Sequence, residues 1–113
     1  MHEMAITQSL IELVVEEARK SGASKIINID IVIGEMSGIV DHCVQFNFEY
    51  LSKDTPAEGA KLNFHTMPMQ AHCLDCNHDF APSGFVWQCP ECQSPKLKIT
   101  QGSELYIKSI EVE

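Results

Sequence analysis

Four cysteines in two closely spaced pairs constrain this chain more than any other feature. Cys73 and Cys76 form one C-x2-C pair, and Cys89 and Cys92 form the second, with twelve residues between the pairs. The short spacing within a pair lets a tight turn direct both sulfurs at one ion, while backbone N–H groups stabilise the thiolates. Four thiolates at tetrahedral positions suit Zn²⁺, with Zn–S bonds of about 2.3 Å. The spacing therefore predicts a zinc ribbon over residues 70–103.

Two other chemistries use paired cysteines: a redox dithiol centre and an iron–sulfur cluster. We disfavour the first because two such pairs are rarely redundant redox centres. We disfavour the second because cluster-binding cysteines are spaced differently. Four buried thiols without a metal are a further alternative, which we also disfavour. Four cysteine ligands close the coordination shell of zinc and leave no position for a substrate water, so we expect a structural ion. The ion would supply folding energy to a lobe whose few other core candidates are Phe80, Phe85, Val86 and Trp87.

Two histidines flank the first cysteine pair. His72 precedes the pair, and we expect an exposed polar side chain there. His78 stands two residues after Cys76. It too is expected to be an exposed polar side chain, although an imidazole there could act as an outer-shell partner of the zinc site or replace one of its ligands. The fifth cysteine, Cys43, lies far from both pairs and does not extend the motif.

Outside this lobe, the periodicity of apolar residues predicts a small α/β domain. Residues 104–112 alternate as a strand that cannot stay folded by itself, so we expect it to return to the N-terminal sheet. The cysteine lobe then becomes an insertion: one domain comprises residues 1–69 and 104–113, and the zinc ribbon comprises residues 70–103. The predicted elements of the first domain are a helix over 4–20 and strands over 25–33, 61–67 and 104–112.

Local patterns assign faces and ends to these elements. Glu16 and Lys20 have the i,i+4 spacing of a helical ion pair, and Gly22 suits the end of that helix. The first and last strands should each bury one set of apolar residues. The residues expected to face inward are Ile27, Ile29, Ile31 and Ile33 in the first strand, and Leu105, Ile107, Ile110 and Val112 in the last.

Residues 41–52 fit two periodicities. Every second residue from Val44 to Tyr50 is apolar, as in a strand. Val44 and Phe48 also share one face of a helix, which Asp41 would open as its N-cap. By periodicity alone, the strand is slightly favoured.

Acidic residues outnumber basic ones by 16 to 8, which gives a net charge of −8. Binding to DNA or RNA depends mainly on cationic contacts with phosphate, so this balance argues against a nucleic-acid partner and against an anionic membrane. The longest apolar stretch, residues 26–33, is far shorter than the roughly 20 residues of a membrane span. The N-terminus also lacks the pattern of a secretion signal, so we expect a cytoplasmic protein.

The first three residues, Met1-His2-Glu3, can chelate a metal through a free terminal amine. The amine, the His2 amide nitrogen and the His2 imidazole can close fused rings on one cation, and the Glu3 amide could add a fourth nitrogen. Ni²⁺ favours nitrogen donors in a square-planar arrangement. A helix that begins near Met4 would ease deprotonation of the amine, because the positive end of the helix dipole lies there. Many chains begin Met-His by chance, however, so this spacing alone favours a frayed terminus.

Together, in chain order, these features resemble the HypA/HybF family of hydrogenase nickel-incorporation proteins. The resemblance covers essentially the full length and implies an α+β fold, with two helices packed on a small three-stranded mixed sheet and an inserted zinc ribbon. It therefore assigns residues 41–52 to the second helix. The residues that carry it are Met1-His2-Glu3, Ile33-Gly34-Glu35, Ala57-Glu58-Gly59-Ala60, the pairs Cys73/Cys76 and Cys89/Cys92, and the acidic-ended final strand.

The resemblance implies a metallochaperone, not an enzyme, that delivers Ni(II) during maturation of [NiFe]-hydrogenase and, in some organisms, of urease. The implied partners are a HypB-type GTPase, the [NiFe]-hydrogenase large subunit or its maturation complex, and urease accessory proteins. The absence of a Gly-rich phosphate loop and of a credible nucleophile–base pair fits a carrier. The implied ligands are Met1, His2 and Glu3 for nickel, and Cys73, Cys76, Cys89 and Cys92 for structural Zn(II).

The chain departs from the family pattern at two places. Some members carry a histidine directly after the last cysteine, where this chain has Gln93, and this weakens the case for a zinc switch that uses two histidines. Met67-Pro68-Met69 stands where many members have acidic residues. Its two thioethers could form a soft-metal site, but we expect them to pack at a strand end. We expect His42 and Cys43 to be helix residues, and His65 to lie on a strand surface.

Two other classes of function compete with a nickel carrier. A zinc-ribbon module that binds nucleic acid or the transcription machinery would use the same cysteines, but the acidic balance disfavours it. A redox enzyme that uses the cysteine pairs is a more distant alternative.

Overall fold

The computed structural model describes residues 3–82 and 86–113. Within these residues the chain forms two helices and six strands, and the strands make two three-stranded sheets. This α+β architecture, with a four-cysteine lobe between two strands of the first sheet, confirms the fold expected from the sequence. The elements are α1 (Glu3–Lys20), β1 (Ile26–Gly34), α2 (Asp41–Leu51), β2 (Lys61–Met67), β3 (Gln70–Cys73), β4 (Asp79–Phe80), β5 (Leu97–Gln101) and β6 (Leu105–Val112).

The first sheet is mixed and has the order β2-β1-β6. Its central strand β1 pairs in parallel with β2 and antiparallel with β6. A parallel pair needs a crossover connection, and α2 lies in the segment between β1 and β2. α1 contacts α2, β1 and β6. The last strand therefore returns to the N-terminal sheet, as its alternation predicted.

Helix α1 buries one stripe of apolar side chains and ends where the sequence predicted. The buried stripe includes Leu10, Val14 and Ala18, which stand four residues apart. Gly22 ends the helix with φ +75°, and the next residue donates its N–H to the Ala18 carbonyl at 2.9 Å. No helix of the described part of the chain is long and apolar enough to cross a membrane.

The predicted ion pair on α1 is wrong in its partners. Glu16 lies 2.6 Å from Arg19, and Lys20 lies 3.7 Å from Glu17. The guanidinium of Arg19 donates twice to the Glu16 carboxylate, which a lysine cannot do. All four side chains are exposed, so these pairs add little to stability.

Strand β1 supplies much of the core, but its predicted alternation fails at the beginning. The isoleucines from position 29 onward are buried as expected, whereas Ile27 is 38% exposed and Ile26 is buried instead. The register with β6 shifts between Ile26 and Asn28. Such a bulge changes the face on which the preceding residues lie, and periodicity alone does not reveal it.

Strand β6 contains a second irregularity of the same kind. Its register with β1 shifts at Lys108, which has no partner of its own. This bulge lets Ile107 and Ile110 both pack against the core, although they stand three residues apart. Val112 packs there too, as expected. The prediction that Leu105 points inward is wrong: it is 36% exposed and lines an open groove between α1 and β6.

Residues 41–51 form helix α2, as the family resemblance implied, so the slight preference for a strand is wrong. Val44 and Phe48 are buried against the core, whereas Phe46 is 74% exposed. The burial follows a helical spacing of four residues. The alternation of apolar residues that favoured a strand arises because the exposed face of the helix also carries aromatic side chains.

The N-terminus of α2 also differs from the prediction that Asp41 is its N-cap. Val40 holds the N-cap position without a side-chain capping bond, and Asp41 is the first helical residue. The Asp41 carboxylate accepts the N–H of His42 at 2.7 Å. A carboxylate in the first turn also faces the positive end of the helix dipole, which is favourable.

The two sheets meet at a junction formed by the loop after β1, the β2–β3 connection and the β5–β6 connection. Three main-chain hydrogen bonds cross it: Gly34 to Glu104, Glu35 to Met67 and Met36 to Gly102, with N···O distances of 2.7, 2.8 and 2.6 Å. The backbones approach so closely that a Cβ on Gly34 would lie 2.1 Å from the Gly102 carbonyl oxygen. Gly34 is therefore required by space, and this explains the glycine of the Ile33-Gly34-Glu35 motif.

We expect Gly34→Ala to lower the free energy of unfolding by about 3 kcal/mol, the upper part of the range for overpacking, because backbone atoms must move to admit the methyl group. Gly22→Ala is the matched control, since Gly22 has a positive φ but nothing within 4 Å of its added Cβ. It should cost only about 1–2 kcal/mol of backbone strain. Urea unfolding followed by far-UV circular dichroism compares the two, and an equal or smaller loss for Gly34→Ala would contradict the steric account.

Candidate metal centres

The first cysteine pair forms a compact turn between β3 and β4. Cys73 ends β3, and its N–H donates to the His78 carbonyl at 2.9 Å. Asn77 donates its N–H to the Cys73 carbonyl at 2.9 Å and has φ 63°, a conformation that asparagine tolerates better than most residues. These bonds fix the turn so that the Cys73 and Cys76 sulfurs point to the same side.

The second cysteine pair repeats this construction. Cys89 donates its N–H to the Ser94 carbonyl at 2.9 Å, and Gln93 donates to the Cys89 carbonyl at 2.8 Å. Gln93 has φ 59°, as Asn77 has in the first turn. We call these two turns, residues 73–78 and 89–94, the first and second knuckle. In this repeat, Ser94 occupies the position of His78.

The four cysteine sulfurs converge on one point. All four lie within 4.8 Å of one another, with 3.6 Å from Cys73 to Cys92 and 3.5 Å from Cys76 to Cys89. Bonds of about 2.3 Å in a tetrahedral zinc site place sulfurs about 3.8 Å apart, close to these values. The distances are far from the roughly 2.05 Å of a disulfide. The four-cysteine cluster therefore fits a structural zinc site.

The thiols of the cluster have divergent pKa values. The N–H of Cys76 donates to the Cys73 sulfur, and together with neighbouring donors it lowers the pKa of Cys73 to about 7. The His78 N–H favours the thiolate of Cys76, but burial and the adjacent thiols outweigh it and raise the pKa of Cys76 to about 12. Burial and Cys73 likewise raise the pKa of Cys92, against the N–H of Ser94. Sulfurs this close cannot all be thiolates unless a cation offsets their charge.

His78 contributes its main chain to the first knuckle. Its carbonyl accepts from Cys73, and its N–H faces the Cys76 sulfur. Its ring stacks on Phe80, with centroids 5.8 Å apart and planes 7° from parallel, and is not part of the four-sulfur group. The two roles suggested for the imidazole, outer-shell partner or replacement ligand, thus have no side-chain contact to support them in this arrangement.

His72 has a partner that the sequence analysis missed. Its Nδ1 lies 2.7 Å from Asp79 Oδ1, and this hydrogen bond raises the pKa of His72. The pairing of β3 with β4 places the two residues directly opposite each other. Neither residue shows this partnership in the sequence, because β4 is too short to be recognised there.

The cysteine lobe has a smaller apolar core than the sequence suggested. Val86 and Trp87 are 60% and 47% exposed, and Phe85 lies outside the described residues. Apart from Gly102 at the junction, the buried residues of the described part of the lobe are Ala71, Cys73, Cys89 and Ser94. Two of the four are cysteines of the cluster, so little besides the cluster can hold this lobe together.

The N-terminal site expected for nickel is described only in part. Met1 and His2 lie outside the described residues, and Glu3 is the first residue of α1. The first N–H groups of a helix lack intrahelical acceptors, so the Glu3 amide is not committed to the helix. The Glu3 carboxylate accepts the N–H of Val40 at 3.4 Å, which brings the beginning of α1 beside the beginning of α2. Sequence reasoning did not connect these segments, which lie far apart along the chain.

The remaining residues of types that bind metals lie on a helix, on a strand or in a connection between strands, as the sequence predicted. His42 and Cys43 lie on α2, and His65 lies on the surface of β2 with its Nε2 3.2 Å from Asp30 Oδ1. The Met67-Pro68-Met69 segment links β2 to β3, and the Met69 N–H donates to the Glu35 carboxylate at 3.0 Å. The segment therefore follows the end of β2, and the packing of its two thioethers there stays a prediction.

Comparisons with known proteins agree with this architecture. The sequence matches the family model described as "Hydrogenase/urease nickel incorporation, metallochaperone, hypA" over residues 1–112. A "Hydrogenase maturation factor HypA" of Caldanaerobacter subterraneus subsp. tengcongensis is 42% identical over 114 aligned residues, which cover all of both chains. A protein of the same description from Dehalococcoides mccartyi is 40% identical, and the alignment covers 100% of this chain and 95% of that protein.

Two solved structures share the fold. One, described as "Solution structure of HypA protein", has a TM-score of 0.78 and 32% identity, covering 100% of this chain and 97% of the other. The other, the Ni metallochaperone HypA from Helicobacter pylori, has a TM-score of 0.69 and 32% identity, covering 99% and 97%. Because the family model spans residues 1–112 and the relatives align over nearly their whole lengths, this chain belongs to the HypA family of hydrogenase/urease nickel-incorporation metallochaperones.

Proposed function

We propose that this protein binds Ni(II) at its N-terminus and delivers it during maturation of a [NiFe]-hydrogenase, with urease as a second recipient in some settings. The observation that carries the proposal is the family match over residues 1–112, which includes Met1-His2-Glu3. The relatives are named as hydrogenase maturation factors, and one solved relative is described as a nickel metallochaperone. Nickel is the cargo of this function and not a resident cofactor.

In this proposal the nickel ligands are nitrogens of the first three residues. They are the Met1 amine, the amides of His2 and Glu3, and the His2 imidazole. Four nitrogens in fused chelate rings suit the square-planar preference of Ni²⁺. The position of Glu3 at the head of α1 supports the proposal, because the positive end of the helix dipole favours deprotonated nitrogen there.

Zinc has a different role in the proposed function. The cluster residues Cys73, Cys76, Cys89 and Cys92 would bind one Zn(II), and the ion would supply folding energy to residues 70–103. Four sulfur ligands complete a tetrahedral shell, so the site offers no position for a reacting water. We therefore assign the protein a carrier role without catalysis of its own.

The proposed partners are those that nickel delivery requires. They are a HypB-type GTPase, the [NiFe]-hydrogenase large subunit or its maturation complex, and urease accessory proteins where urease is served. A cytoplasmic location fits this role, because cytosolic conditions keep the four cluster thiols reduced.

We expect His2→Ala, or a short extension fused ahead of Met1, to weaken nickel binding by more than about 100-fold, beyond the loss typical of outer-shell changes. Each change removes a ligand or blocks the amine. His65→Ala is the control, because it removes an imidazole that lies on the surface of β2. Isothermal titration calorimetry with nickel measures the affinity, and metal analysis confirms that zinc is retained. Unchanged nickel affinity in either N-terminal variant would contradict the proposal.

Nickel affinity should fall as the pH drops below neutrality. The terminal amine and the His2 imidazole must lose protons to bind, and their ordinary pKa values are about 8 and 6.5, so protons compete with nickel in this range. We expect the apparent Kd to rise at least about tenfold between about pH 7.5 and about pH 6.5, because each amide nitrogen that binds as an anion releases a further proton. Titrations in matched buffers test this, and a pH-independent affinity would show that the ligands lie elsewhere.

Removal of zinc should unfold the cysteine lobe and leave the β2-β1-β6 sheet folded. Cys73→Ser removes one of the two buried sulfurs of the cluster. The variant should therefore lose its zinc, and the backbone amides of the lobe should lose their protection from hydrogen exchange. Cys43→Ser is the matched control, since Cys43 lies on α2 outside the cluster, and it should keep its zinc. Metal analysis and hydrogen exchange by mass spectrometry read out both regions, and zinc retention by Cys73→Ser would refute the assignment.

A further inference from the structure

Besides the sulfur–sulfur contacts of the cluster, one side-chain hydrogen bond joins the two knuckles in the part of the chain that the structure describes. The Ser94 hydroxyl donates to the Asp75 carboxylate, and the two residues are 19 positions apart in the chain. Asp75 lies between the first two cysteines of the cluster, and Ser94 closes the second knuckle. The bond therefore links the two halves of the cluster independently of the sulfurs.

Ser94 is buried in a network of further bonds. Ser94 is only 8% exposed, and its hydroxyl oxygen accepts the N–H of Lys96 at 3.1 Å. The Lys96 carbonyl accepts the N–H of Leu74 at 2.9 Å. Because Leu74 adjoins Asp75, these bonds close a ring across the two knuckles. A buried hydroxyl with both a donor and an acceptor partner is held in one orientation.

The main chain of Ser94 also contacts both cysteines of its own knuckle. Its carbonyl accepts the N–H of Cys89 at 2.9 Å, and its N–H faces the Cys92 sulfur. A shift of Ser94 therefore moves two of the four sulfurs relative to the first knuckle. The hydroxyl bond to Asp75 opposes that shift.

The repeat of the two knuckles shows that this bond is not a necessary part of the turn. The position equivalent to Ser94 in the first knuckle is His78, whose ring stacks on Phe80. The position equivalent to Asp75 in the second knuckle is Glu91, which is exposed and makes no side-chain hydrogen bond to the first knuckle within residues 3–82 and 86–113. The turn thus forms in both places, whereas of the two equivalent pairs, Ser94–Asp75 and His78–Glu91, the first forms a side-chain hydrogen bond between the described knuckles.

We propose that Ser94 is a positioning residue of the zinc centre, and that its hydroxyl bond to Asp75 sets how tightly the ion is held. This inference rests on the proposed zinc site. Zinc-site residues that orient ligands without touching the metal typically change affinity by about 10–100-fold when removed. Two of the cluster sulfurs, those of Cys76 and Cys92, belong to exposed residues, so competing ligands can reach the site when the knuckles separate.

The test measures transfer of zinc from the full-length protein to a chromophoric chelator. We expect Ser94→Ala and Asp75→Ala each to lose zinc about tenfold faster than the unaltered protein, and the double variant to lose it little faster than either single one. Asp75→Asn keeps an oxygen that can accept the Ser94 hydrogen bond, so its zinc transfer rate should stay close to that of the unaltered protein. Glu91→Ala is the matched control and should transfer zinc at the native rate.

A second measurement separates positioning from folding. The cobalt-substituted variants should keep tetrahedral thiolate spectra, with a shifted charge-transfer band in Ser94→Ala and Asp75→Ala. Far-UV circular dichroism should be unchanged. Equal zinc transfer rates in Ser94→Ala, Asp75→Ala and the native protein, or an equal effect of Glu91→Ala, would overturn the inference and leave the zinc site intact. Failure of the native protein to bind zinc would instead overturn the proposed zinc site.

Discussion

Four sulfur atoms confined within 4.8 Å of one another set the main physical constraint on this molecule. Thiolates at this distance repel, so the two knuckles can stay together only when protons or a cation neutralise their charge. The opposite directions of the pKa shifts at Cys73 and Cys76 express this competition. The lobe has little apolar core with which to oppose the repulsion, because Val86 and Trp87 are exposed. Its folding is therefore tied to the cluster in a way that the folding of the β2-β1-β6 sheet is not.

The lobe is attached to the first sheet through main-chain hydrogen bonds and close backbone contacts at the junction. β3 runs from the junction to Cys73 at the first knuckle, and β5 returns from the second knuckle to the junction. At the junction, the close approach of Gly34 and Gly102 is reinforced by side chains that bond to main-chain atoms. These bonds are Met69 N–H to the Glu35 carboxylate, Gln101 Nε2 to the Pro68 carbonyl, and Gly102 N–H to the Glu104 carboxylate, at 3.0, 2.8 and 2.9 Å. β3 and β5 pair antiparallel, and their ends away from the junction lead into the two knuckles that carry the sulfurs.

Much of this architecture follows from local patterns in the sequence. The spacing of the cysteines predicts the cluster, and the alternation of residues 104–112 predicts their return to the first sheet. Residues 41–52 show the limit of periodicity, because the exposed aromatic Phe46 imitates the alternation of a strand. There, resemblance to a family supplied the helix that pattern alone did not.

The features that sequence reasoning missed depend on register and on distant partners. The exposure of Ile27 results from a bulge, whose position depends on how two strands far apart in the chain align. Ser94 and Asp75 are residue types common in turns, and nothing in the sequence connects them. Their bond is seen only when the structure brings the two knuckles together. The approach of Glu3 to Val40 is of the same kind, since it depends on how α1 and α2 pack.

A nickel carrier with a resident zinc ion needs two sites with opposite properties. Zinc that supports a fold must not exchange. A closed shell of four sulfurs meets that requirement, and the Ser94–Asp75 bond holds the two knuckles together beside it. Cargo must be released, and the proposed nitrogen ligands bind only when they are deprotonated, so uptake of protons expels the metal. The two proposed sites lie in different parts of the fold, one at the head of α1 and the other beyond the junction. Because four sulfur ligands leave zinc no open coordination position, an exchanging ion would have to displace zinc to occupy the cluster.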